Sequence, residues 1–277
     1  GSAAWSRNMP ATSPATGEPS GAENAARLWP RWADLCGKLG VDSDARQKWW
    51  EDLQRRHREP QRSYHTFAHL VELFDHMDAN VSQVQDRTAV TLAIFFHDAI
   101  YDPRAGSPKN EQDSAVLFDK FGQEALPAGD PPGLAKGELI AKVRRWIIQT
   151  ATHVTSEGDD EDCKLFMDFD MAILGSEAKR YERYAQQIRR EYRHVAEPFF
   201  CKARGAFLED FLQSARAGKR SVYSTATFRS SHEQRALENM AQEAGVLAKR
   251  LSGCGLVSRL AAHLALSPSA RRLGKRA

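Results

Sequence analysis

Between residues 28 and 251 apolar side chains recur at intervals of three and four, and no stretch alternates in the manner of a half-buried strand. That period predicts helices over 28–39, 43–58, 65–79, 83–101, 110–122, 134–151, 160–174, 177–195, 198–216 and 231–251. Ser82 with Gln85, Asn110 with Asp113 and Ser230 with Glu233 have the spacing of a capping box, whose side chains satisfy free amides in a helix's first turn. Gly129-Asp130-Pro131-Pro132-Gly133 interrupts the pattern. A single interruption does not divide a core, so one all-α domain is expected over 26–251. Residues 1–25 are rich in Ala, Ser, Pro and Gly and are expected to be disordered. Residues 252–277 are expected to form a basic tail, with 256–266 as one short amphipathic helix. Trp29, Trp32, Trp49, Trp50 and Phe199-Phe200 fall within predicted helices and are expected to pack rather than to hold a cofactor.

Composition narrows this picture. Of 277 residues, 42% are hydrophobic and 27% charged, which is enough apolar material for a real core in a soluble protein. The longest apolar run, Leu92 to Phe96, is far short of the ~20 residues that cross a bilayer. The net charge of +3 hides an asymmetry: residues 249–277 carry seven Lys or Arg and no acid, leaving −4 on the remainder. A nucleic-acid-binding domain would organise its positive charge on one face, so no dedicated nucleic-acid binding is expected. Cys36, Cys163, Cys201 and Cys254 form neither a C-x-x-C pair nor a disulfide framework. With no secretory apolar segment at the start, an intracellular and cytoplasmic location is expected. Gly1-Ser2 reads as a tag scar, with Met9 nearer a natural start.

Three segments carry chemistry. In Tyr64-His65-Thr66-Phe67-Ala68-His69 the two histidines stand at i and i+4, one above the other on a predicted helix. They can share a metal or divide metal binding and proton transfer; such a spacing also arises by chance. In Phe96-His97-Asp98-Ala99-Ile100-Tyr101 an acid lies near the end of the helix predicted over 83–101, whose interior is apolar on every side. A buried carboxylate needs a cation, a metal or a dense set of donors, and Asp98 is open to all three, including a cap or an Arg partner. In Asp168-Phe169-Asp170-Met171-Ala172-Ile173-Leu174-Gly175 the two acids lie about 200° apart around a helix. Asp170 falls on the stripe of Phe166, Phe169, Ile173 and Leu174, so it is the ligand candidate and Asp168 is expected to be solvated.

His69, His97-Asp98 and Asp170, in that order, resemble the H…HD…D signature of the HD superfamily of metal-dependent phosphohydrolases. The resemblance is closest to a branch in which Tyr-His-x-x-x-His, Phe-His-Asp-x-x-Tyr and Asp-x-Asp-x-x-Ile-Leu-Gly recur. Asn110-Glu111 before Ser114-Ala115, and Ile188-Arg189 before Glu191-Tyr192, are similar to further segments of it. The likeness covers about residues 60–225.

The resemblance implies an all-α HD-type domain with a metal between buried helices, held by His69, His97, Asp98 and Asp170. The first piece is also similar to the Tyr-His-Asn-x-x-His segment of cyclic-nucleotide phosphodiesterases, which implies His65 as general acid and His69 as a ligand. Thr66 stands where those enzymes have Asn, and their further histidine ligands are missing, so cyclic nucleotides are not implied.

The expected activity is hydrolysis of a small phosphate ester, with nucleotides among the candidate substrates and with Asp98, His65 and Glu111 in the catalytic set. Glu111 would position water or bind substrate. One divalent metal is implied; mixed imidazole and carboxylate donors suit Mn, Fe, Co, Ni or Zn, with Mg also open. Tyr64, Asn110, His153 and Arg189 are the expected substrate contacts, with His153 open to a water-bound or plain surface role. Arg144, Arg145, Lys202 and Arg204 are further phosphate-contact candidates. Two rivals stand beside this reading: a di-iron HD-type oxygenase, which wants about two more histidines, and a non-enzymatic metal- or nucleotide-binding module. Gly-rich phosphate loops and nucleophile elbows are missing from the sequence.

Overall fold

The computed structural model describes residues 19–129 and 135–253. Ten α-helices follow one another within them: α1 (Gly21–Lys38), α2 (Ser43–Arg56), α3 (Phe67–Ala79), α4 (Arg87–Phe96), α5 (Lys109–Glu124), α6 (Lys136–Gln149), α7 (Glu161–Met171), α8 (Ala178–Glu191), α9 (Glu197–Arg216) and α10 (Ala226–Gly253). A 3₁₀ turn, Ala172–Gly175, continues α7. There is no strand among the described residues, and the helices make one all-α domain. No described helix is long and apolar enough to cross a membrane. The tail beyond Gly253, with the helix expected at 256–266 and Cys254, lies outside the described residues.

α4 occupies the centre. Its apolar residues on every side, from Val90 through Phe96, are fully buried, as an all-round apolar helix requires. Trp32 of α1 packs edge-on against Phe95 at 5.2 Å, and Trp49 of α2 against Phe121 at 5.4 Å, so these tryptophans are core. α3, α5, α6 and α7 surround α4, while α9 and α10 pair with each other and cover α8 and the 3₁₀ turn. Phe200 joins this layer and Phe199 stays partly exposed.

Several boundaries differ from the periodic reading. α1 starts at Gly21, inside the stretch expected to be disordered, because Ser20 and Glu23 form a full capping box. The expected caps at Ser82, Asn110 and Ser230 are not used. Asp86 caps α4, and α10 begins at Ala226, where the Thr225 hydroxyl accepts from the Phe228 amide. α4 is shorter than its apolar pattern: it ends at Phe96, and buried Arg62 donates to the carbonyls of Asp98 and Ala99 that the helix leaves free.

Asp168 is the clear correction. It is 1% exposed rather than solvated, and accepts the amides of Ser224 and Thr225 and the Thr225 hydroxyl at 2.6–2.8 Å. It fastens the start of α10 to α7. Burial pushes its carboxyl up to about 6, against these donors.

α10 and the segment just before it also grip the 3₁₀ turn. The Asn239 amide donates to the carbonyls of Leu174 and Ser176, and the Tyr223 hydroxyl to that of Met171. A Cβ on Gly175 would lie 2.7 Å from the Tyr223 hydroxyl and 2.8 Å from the His232 carbonyl oxygen. Gly175→Ala is therefore expected to cost about 1–3 kcal/mol through overpacking against backbone. Gly245→Ala, on an open face of α10, is expected to be neutral or stabilising. Thermal melting of the two variants checks the contrast; equal melting temperatures would refute the close fit at Gly175.

Candidate metal centre

Six helix ends converge on one point. The carboxyl ends of α4, α6, α7 and α8 deliver His97-Asp98, His153, Asp170 and Glu191, while the amino ends of α3 and α5 deliver His65, His69 and Glu111. Four helix carboxyl ends give the point a partial negative field that favours a cation.

His69 lies in the first turn of α3, whose N-cap is Thr66, so His65 precedes the helix instead of opening it. The two rings still meet, with centroids 5.9 Å apart. His69 Nε2 is 3.3 Å from His97 Nε2 and 3.0 Å from Asp170 Oδ1, and His97 Nε2 is 3.5 Å from the same oxygen. Asp98 Oδ2 adds contacts of 3.2 Å to His97 Nε2 and 3.7 Å to His69 Nε2. Ligand bonds of ~2.1 Å place neighbouring donors about 3.0–3.4 Å apart. His69, His97 and Asp170 thus form a group able to hold a metal ion, with Asp98 at its edge.

The surrounding bonds orient these donors. His97 Nδ1 donates to the Ile94 carbonyl at 3.0 Å, which leaves Nε2 its lone pair for the centre. His69 Nδ1 is buried with no hydrogen-bond partner, an exception to that habit. Burial by itself would raise the carboxyls of Asp98 and Asp170. The facing imidazoles, His97 foremost, outweigh it and hold both well below the usual carboxylate range. The same carboxylates raise His97 against its own burial. Two carboxylates at the meeting point of buried imidazoles call for positive charge, as protons or as a metal.

His65 is held apart from this cluster. Its Nδ1–H donates to Glu191 Oε2 at 2.7 Å, and its ring stacks on Tyr101 with centroids 4.2 Å apart. Its Nε2 then faces Asp98 Oδ2 at 3.9 Å. Glu191 is 2% exposed, and its Oε1 accepts the amides of Ser63, Tyr64 and His65 at 2.7–3.0 Å while Oε2 also accepts the Tyr101 hydroxyl. Burial would raise Glu191, but His65 and these donors bring it down to about 2. In return Glu191, then Asp98, raises His65 in spite of burial.

The other expected site residues separate into two sets. Tyr64, Glu111 and His153 line the cavity above the centre. The Tyr64 hydroxyl is buried without a partner, and His153 Nε2 donates to Asp170 Oδ2 at 2.7 Å from a left-handed backbone position, φ 52°. His153 is therefore neither a plain surface residue nor remote from the ligands. Asn110 does not face the cavity: its amide pairs with the backbone N–H and carbonyl of Asp102. Arg189 is also structural, donating to the carbonyls of Tyr192 and Val195 beyond the end of α8. Arg144 pairs with Asp119, Arg204 with buried Glu243, and Arg145 and Lys202 point outward.

Glu191, Tyr101 and Arg62 were not among the expected site residues. For Glu191 a signal exists: Tyr181, Tyr184, Ile188 and Glu191 repeat at three and four, which puts the acid on the buried stripe of α8. Arg62 joins the two site loops by donating to the carbonyls of His65, Asp98 and Ala99, and no periodicity marks it.

No protein-family model, no curated protein and no solved structure matches this chain.

Proposed function

We propose that this protein is a metal-dependent hydrolase of phosphate esters, built on one divalent metal held by His69, His97, Asp170 and Asp98. The observation that carries the reading is the His-His-Asp group lying beside a half-buried, carboxylate-paired histidine that stands outside that group. When bound, such a metal supplies a water of lowered pKa and neutralises charge on a phosphoryl oxygen.

The chain's own residues supply the rest. Glu191 fixes the His65 tautomer, because a carboxylate can only accept from Nδ1. The free Nε2 is then the atom that delivers a proton. As the oxygen of water bonds to phosphorus and the ester P–O bond breaks, His65 Nε2 protonates the departing alkoxide, and the proton released by the water passes to solvent. Glu111 and His153 border the space where the phosphoryl group would sit.

The resemblance to the HD superfamily supports this reading over a binding module, since a binding site has no need of a second, oriented imidazole. The oxygenase reading gains one histidine, His153, from the geometry and still lacks another.

The test is metal content by plasma mass spectrometry on full-length chain purified without chelator, alongside phosphate release from a panel of esters. About one transition metal per chain with metal-dependent release is expected, both lost in Asp98→Ala. Full metal content and activity in Asp98→Ala would overturn the assignment. Two irons per chain would favour oxygen chemistry, and a metal-free, inactive chain after reconstitution would favour a binding module.

A further inference from the structure

The cavity over the centre is small and carries an unusual charge for a phosphate site. Its volume is about 40 Å³, room for roughly three waters at ~10–15 Å³ each. Three carboxyl groups line it, from Asp98, Glu111 and Asp170, and among the described residues no Lys or Arg does. Arg62, beside Tyr101, is fully buried, and its donors go to Glu59 and to the carbonyls of His65, Asp98 and Ala99. The nitrogen-bearing side chains that line the cavity are therefore the imidazoles of His65 and His153. Met171, Ile173 and Leu174 form an apolar part of the wall beside Tyr64, Tyr101 and Thr150. Tyr223, just before α10, and Asn239 of α10 hold the carbonyls of Met171 and Leu174.

We propose that the substrate is a phosphomonoester with one phosphoryl group on an uncharged alcohol, and that the cavity's carboxyl groups exclude a second phosphate. The inference rests on the phosphohydrolase reading above and narrows it. Phosphate sites that accept polyphosphates use guanidinium forks or ammonium groups to meet each additional dianionic charge. Here a second phosphate would meet carboxyl groups or the apolar wall. An uncharged carbon skeleton meets that wall without an unpaired charge.

The experiment has two arms on the metal-reconstituted full chain. The first compares kcat/KM for glycerol phosphate, phenyl phosphate and the mono-, di- and triphosphates of one nucleoside, measuring orthophosphate and pyrophosphate release. At least a tenfold fall is expected at the second phosphate, with no pyrophosphate released. Equal or faster turnover of the di- or triphosphate would overturn the proposal and leave the phosphohydrolase reading standing.

The second arm needs no turnover. Calorimetric titration with orthophosphate and with pyrophosphate is expected to show at least tenfold weaker binding of pyrophosphate, with metal content measured afterwards to exclude chelation. Equal or tighter pyrophosphate binding, or no binding of either anion, would overturn it. Should no ester be hydrolysed while orthophosphate is still preferred, the phosphohydrolase reading fails and the charge selection survives. Glu111→Gln and Ile173→Lys, made separately so that one folding failure is not decisive, are each expected to narrow the orthophosphate preference severalfold. No change in a folded variant of either kind counts against the proposal.

Discussion

Asp170→Asn is expected to reduce metal from about one per chain to background and to lower phosphate release by at least about a thousandfold, a loss of ~4 kcal/mol of transition-state stabilisation. Asp170 meets three imidazoles, His69 at 3.0 Å, His97 at 3.5 Å and His153 at 2.7 Å, more closely than Asp98 meets its three at 3.2, 3.7 and 3.9 Å. Asparagine keeps the shape and one acceptor oxygen but removes the negative charge that a divalent ion needs. The fold should survive, because the imidazoles can shed their protons once the compensating charge is gone. Asp168→Asn, two residues away on the same helix, is the paired control. It should keep its metal and lose about 1–3 kcal/mol of stability, since the amides of Ser224 and Thr225 lose a charged acceptor. Metal analysis and thermal melting of the two proteins decide the matter. Metal lost from Asp168→Asn and kept by Asp170→Asn would invert the assignment of the two acids.

That pair also marks how far the chain could be read without coordinates. The helical wheel put Asp170 with Phe166 and Ile173, and in the fold it meets the histidines. It put Asp168 in solvent because a wheel assumes one buried face. α7 is instead covered on both sides, by α3 and α4 and by the start of α10, so the far side needs a partner and Asp168 is that partner. Helix positions followed from periodicity throughout, but ends did not. α4 stops where Arg62 takes its carbonyls, and α1 starts where Ser20 and Glu23 cap it. Both are side-chain events that a hydrophobic pattern does not record. The phosphate arginines failed for a similar reason. Arg189 and Arg204 have the right chemistry, yet each is consumed by a helix end or a buried glutamate that only the tertiary fold brings near.

His65→Asn should separate proton transfer from metal binding. Its amide keeps a donor for Glu191, so the loop from Ser63 to His65 stays fastened, and metal content is expected to remain near one per chain. Turnover of an alkyl phosphate should fall by about 10²–10⁴, the usual contribution of a positioned general acid. Nitrophenyl phosphate should lose far less, because its leaving group departs without a proton. An equal loss on both esters would make His65 a structural residue. Glu191→Gln tests the same arrangement through pH. A general-acid His65 would act while protonated, so activity is expected to hold at low pH and to be lost as pH rises through its raised pKa. Glutamine removes the foremost charge that raises it, and the alkaline limb should move to lower pH. Stability responds in the opposite range. Glu191 is depressed to about 2 in the fold, so its contribution is complete above its ordinary 4.5 and fades as pH falls towards 2. Glu191→Gln should be less stable than the parent at neutral pH and approach it in acid. A metal-loaded variant whose alkaline limb stays in place would show that the carboxylate anchors the loop and leaves the imidazole's proton affinity to Asp98.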